Sequence, residues 1–104
     1  MDMQSRANLR SMALHREVAK KLRSNSDFWK IPNNNLNKWK KINGNLSSAL
    51  EEWKNLITKK TRNQILEILE GDSEYSYRLR SSSPFTGILS EDERNTIFQK
   101  FSQL

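Results

Sequence analysis

His15 is the only imidazole in this 104-residue chain, and cysteine is absent. Imidazole is the one side chain that exchanges a proton near neutral pH without help, so acid–base work would begin at His15. Its setting argues for another use. At 100° per residue it falls between Val18, Leu22 and Ala19, inside the apolar arc of a helix, where a histidine is expected as a satisfied core residue. A nucleophile–base pair needs company that one histidine and no thiol cannot give, and the same shortage argues against a protein-held zinc centre. Glu70, Asp72 and Glu74 would need a metal to act together as a hydrolase; at a helix start they serve as capping and dipole-compensating groups. The residues therefore predict no enzyme, no cofactor and no metal, and set aside the competing reading of a small nuclease or transferase. Arg94 shares an arc with Ile97, Phe98 and Phe101, which predicts a structural tie to Asp72 or Glu74. Trp29, Trp39 and Trp53 could stack bases, but each sits at helical spacing beside Leu or Ile and is expected in the core.

Charge is the stronger functional signal. Eighteen Lys and Arg against twelve Asp and Glu give a net +6. The excess is uneven: residues up to Arg62 carry fourteen cations and five acids, net +9, whereas Asn63 onward carries four and seven, net −3. Such a basic half suits nucleic acid, through phosphate neutralisation and counterion release, or an acidic protein. The side chains expected to make those contacts are Arg16, Lys20 and Arg23 on the first helix and the Lys38, Lys40 and Lys41 group. A helix-turn-helix centred on Gly44 fits only in part. Lys40 stands four positions before the glycine where a small residue is usual, asparagines flank it, and Glu51 and Glu52 open the would-be recognition helix, where they would repel phosphate.

These side chains must be positioned by helices. With three glycines, two prolines and apolar residues at helical spacing, the chain reads as all-α: a single compact domain over 1–104, of five or six short helices, with 1–8 loosely ordered. The first helix is expected over Leu9 to Arg23. Ser24 to Asn35 reads as a connector anchored by Phe28 and Trp29, because Pro32 disfavours helix at Ile31. A short helix from Asn34 to Ile42 puts Leu36, Trp39 and Ile42 on one side and ends at Asn43-Gly44-Asn45. Capping boxes are expected at Ser48 with Glu51, Thr61 with Gln64, and Ser90 with Glu93, opening three further helices, the last burying Ile97, Phe98, Phe101 and Leu104. Gly71 is read as a stop, and Asp72 to Arg80 as another helix. Ser81 to Leu89 is too apolar at Phe85, Ile88 and Leu89 for a loose linker. Phe85 either packs inward or anchors a partner, with Arg78 and Arg80 at its rim.

The segment Leu9-Arg10-Ser11-Met12-Ala13-Leu14-His15-Arg16-Glu17-Val18-Ala19, with Asp72-Ser73-Glu74, Arg78-Leu79-Arg80-Ser81-Ser82-Ser83-Pro84-Phe85-Thr86-Gly87-Ile88-Leu89 and Glu93-Arg94, resembles a group of small bacterial proteins associated with toxin–antitoxin or phage-defence gene pairs. The resemblance covers most of the chain apart from its Asn-rich middle. It implies a helical antitoxin-like protein that neutralises a cognate toxin or enzyme, and it carries no catalytic motif. The alternative is a regulator that binds duplex DNA through the basic half. No apolar run approaches the roughly 20 residues of a membrane span, and no apolar leader follows Met1, so a cytoplasmic location without membrane contact is expected.

Overall fold

Side chains at the breaks between helices decide where this chain turns. The computed structural model describes residues 3–102, with side chains from 6 to 101. It contains Met3–Ser24 (α1), a 3₁₀ turn at Ser26–Trp29, Lys30–Asn43 (α2), Ser48–Lys59 (α3), Arg62–Glu70 (α4), Glu74–Arg80 (α5) and Glu91–Ser102 (α6), and no strand among the described residues. The fold is all-α, as the periodicity predicts.

Thr61 and Gln64 form a reciprocal capping box at the start of α4, and Ser90 and Glu93 do the same before α6, with bonds of 2.9–3.1 Å. The third box does not form. Ser47, one residue earlier than expected, accepts from the Leu50 N–H at 3.3 Å, which puts leucine rather than Glu51 at the reciprocating position. Ser73 caps α5.

Two boundaries differ from the sequence reading. Helix α1 begins at Met3 rather than Leu9, so 3–8 are helical. The connector expected over Ser24 to Asn35 shrinks, because α2 starts at Lys30 and runs through Ile31 and Pro32. In the first turn of a helix an N–H has no intrahelical acceptor, so the proline there loses nothing. Phe28 and Trp29 do anchor what remains, packing half-buried against the core.

Helix α1 lies at the centre, packed against α4, α5 and α6 through Val18, Ala19 and Leu22. Trp53 of α3 is fully buried, donates its indole N–H to the Leu79 carbonyl at 2.7 Å, and meets Phe85 edge-on at 5.2 Å. The segment 81–90 is packed as expected: Pro84, Phe85, Ile88 and Leu89 are buried, and Asn35 of α2 donates to the carbonyls of Pro84 and Thr86 at 2.8 Å each. Gly87 turns this segment at φ 97°, in the left-handed region. Ile97 is buried, and Phe98 and Phe101 are half-buried; Leu104 lies outside the described residues.

Candidate functional site: the lysine-rimmed end of α2 and α3

The cations of α1 reach the surface but are largely spent inside the molecule. Arg23 forms a two-pronged ion pair with Glu70 at the end of α4, and Arg16 donates to the Glu70 carbonyl at 3.5 Å. Lys20 pairs with Glu17 at 2.9 Å, and Lys21 with Glu93 of α6 at 3.0 Å. Both carboxylates that cross to α1 come from the acidic half of the sequence. The pairing holds Glu70 below the usual carboxylate range, chiefly through the Arg23 hydrogen bonds. For Glu93 the Ser90 N–H is the main cause, followed by Lys21.

Lys38, Lys40 and Lys41 differ. All are exposed, and none has a carboxylate within ion-pair distance among the described residues. The same helix end carries apolar side chains that the sequence reading placed differently. Ile42, expected on the buried side with Leu36 and Trp39, is 69% exposed, because Leu36 meets the body of the protein whereas the last turn of α2 does not. Trp39 is half-buried one turn away. Together with Asn43, Ser47, Leu50, Ser81, Ser82 and Ser83 it lines a wide-open hollow of about 490 Å³. The signal was present in the sequence: Lys40 and Lys41 immediately before Ile42, with Asn43-Gly44-Asn45 after it, mark a helix end surrounded by polar groups. Helix α2, Gly44 at φ 82° and α3 follow one another where a helix-turn-helix would, with Glu51 in the first turn of α3 and Glu52 bonded to Arg78.

The remaining expected contacts lie elsewhere. Phe85, 3% exposed, takes the inward alternative. Arg80, 2% exposed, offers no rim: its Nη1 donates to the carbonyls of Ile68, Leu69 and Gly71 at 2.6–3.1 Å, and Nε and Nη2 are buried without a hydrogen-bond partner. Neither residue presents a partner-facing surface. Arg78 is exposed but held by Glu52 at 2.8–2.9 Å and lies over the Tyr75 ring. Arg94 has no tie to Asp72 or Glu74; it is exposed, with its guanidinium 5.7 Å from the Phe98 ring centre. Of the tryptophans only Trp53 is fully buried, and Trp29 lies under the guanidinium of Arg62 at 5.2 Å.

His15 is 8% exposed, as its place on the wheel predicts. Burial lowers its pKa to about 4, against the raising effect of its bond to the Ser11 carbonyl and with a further lowering from the Arg80 charge. Among the described residues no group of three or more His, Asp or Glu converges on a metal-sized site, and no helix is long and apolar enough to cross a membrane. No family model, curated protein or solved structure matches this chain.

Proposed function

We propose that this protein is a non-enzymatic binding protein that holds an acidic protein partner at the joined ends of α2 and α3. The observation that carries the reading is the contrast between two basic sets: Arg16, Lys20, Lys21 and Arg23 of α1 are held by the protein's own groups, whereas Lys38, Lys40 and Lys41 are left open on the same helix end as exposed Ile42 and half-buried Trp39. An apolar centre with a charged rim is the anatomy of a protein interface, in which the centre supplies affinity and the rim supplies steering and selectivity. The partner this favours is the toxin or defence enzyme encoded beside it, in keeping with the resemblance of the α1 and α5–α6 segments to small proteins of such gene pairs. Neutralisation then follows from occupying the partner's surface.

A second reading, a duplex-DNA regulator, draws on the same lysines and the α2–Gly44–α3 turn. The apolar centre and Glu51 in the first turn of α3 weigh against it. Co-expression with the neighbouring gene's product separates the two. The antitoxin reading predicts co-purification and rescue of growth, with no duplex binding that falls steeply as salt rises. Salt-sensitive duplex binding without co-purification or rescue would transfer the function to DNA.

A further inference from the structure

A second cavity, lined partly by the 81–90 segment, has a different chemistry. Its volume is about 140 Å³, and it is lined by Leu14 and His15 of α1, Arg94 of α6, and Phe85, Thr86 and Leu89, with Ser83 and Gly87 completing it. A cavity of roughly 150 Å³ accommodates one benzene ring. One ring is therefore the size that fits within it, with substituents reaching its open mouth.

The polar groups narrow the choice further. Nδ1 of His15 lies 2.7 Å from the Ser11 carbonyl oxygen, which can only accept, so the neutral ring carries its proton on Nδ1 and leaves Nε2 as a bare acceptor. Nε2 has no partner among the described residues and is not one of the polar atoms sealed from solvent. Such an acceptor is met by water or, in its place, by a ligand hydroxyl or N–H. Arg94 supplies the opposite need: its guanidinium is exposed, pairs with no carboxylate, and is steadied by the Phe98 ring. No carboxylate lines the cavity to repel an anion. Leu14, Phe85 and Leu89 leave an apolar middle.

We propose that this cavity binds a single-ring aromatic carboxylic acid bearing a hydroxyl group, with the ring against Leu14, Phe85 and Leu89, the carboxylate on Arg94, and the hydroxyl donating to Nε2 of His15. The site shares Ser83 with the hollow beside α2 and α3, and its small-molecule binding is read without the protein partner.

The test is a titration of the folded protein at pH 7 with benzoate, phenol and the three hydroxybenzoate isomers, followed by amide shifts and by the ¹⁵N shift of the His15 ring. One isomer is expected to bind at least about tenfold more tightly than benzoate or phenol, because it alone makes both the Arg94 and the His15 contacts. The shifts should centre on His15, Phe85, Thr86 and Leu89, and the Nε2 resonance should move as it accepts a hydrogen bond. Arg94→Gln, at an exposed position, should weaken binding about tenfold with the melting temperature unchanged. Thr86→Trp, at the rim, should block it. Absence of saturable shifts at millimolar ligand, shifts centred elsewhere, equal affinity for phenol and the hydroxybenzoates, or undiminished binding by Arg94→Gln would each overturn the assignment.

Discussion

His15 shows what burial does to a single titratable group. In the unfolded chain it takes up a proton as the pH falls through about 6.5; in the folded chain desolvation delays this to about 4. The unfolded state therefore binds more protons between these values, so the stability contributed by the neutral ring is complete above 6.5 and is lost as the pH falls toward 4. The shift corresponds to about 3 kcal/mol. Urea denaturation from pH 7 to 4 should show that loss in the parent and not in His15→Leu; the difference between them removes the carboxylates, including Glu70 and Glu93, whose lowered pKa values also cost stability on acidification. Two parallel pH profiles would refute the account. Phe85 makes the complementary case of a residue whose role depends on its partner. Edge-on against Trp53 and 3% exposed, it should cost about 4 kcal/mol when replaced by alanine. A Phe85→Ala variant of unchanged stability would remove it from the core.

At the scale of elements, α4 ends without a basic residue in its last turn, and the missing positive charge comes from α5. Arg80 places Nη1 among the carbonyls of Ile68, Leu69 and Gly71, where a cation meets both unpaired acceptors and the negative end of the helix dipole. Gly71 belongs to the same joint, since a Cβ there would lie 2.8 Å from the Glu67 carbonyl oxygen and 2.9 Å from Ser76 Oγ. Arg80→Ala should lower unfolding free energy by about 3 kcal/mol in chemical denaturation, well beyond the cost of an exposed arginine; a loss under half that would mean the joint is held by packing alone. Local signals made much of this level legible. The Thr61 and Ser90 boxes, the stop at Gly71 and the packed 81–90 segment could be read because each depends on residues a few positions apart. The Ser48 box failed where two adjacent serines competed for one N-terminus, and the start of α2 was misplaced by treating Pro32 as a breaker rather than a first-turn residue. Arg80 could not be read at all, because its acceptors are backbone carbonyls on another helix.

On the scale of the whole molecule, the division of the sequence into a basic and an acidic half turns out to be partly an internal affair. Glu70 and Glu93 fold back onto Arg23, Arg16 and Lys21, so the α1 surface that looked most suited to phosphate is occupied by the protein's own carboxylates. No sequence pattern joins Arg23 to Glu70 across 47 positions. Lys38, Lys40 and Lys41 of α2 remain open, with no carboxylate in ion-pair distance among the described residues, and Ile42 is exposed on the same helix end. The central claim is that this end, and not α1, receives the partner. The most direct measurement compares two triple variants for binding to the product of the neighbouring gene: Lys38→Gln with Lys40→Gln and Lys41→Gln, against Arg16→Gln with Lys20→Gln and Arg23→Gln. The α2 variant should keep the parental melting temperature and lose at least about tenfold in affinity, mainly through slower association, while the α1 variant should lose stability and, once folded, bind as the parent does. Full binding by the α2 variant together with lost binding by a folded α1 variant would contradict the account.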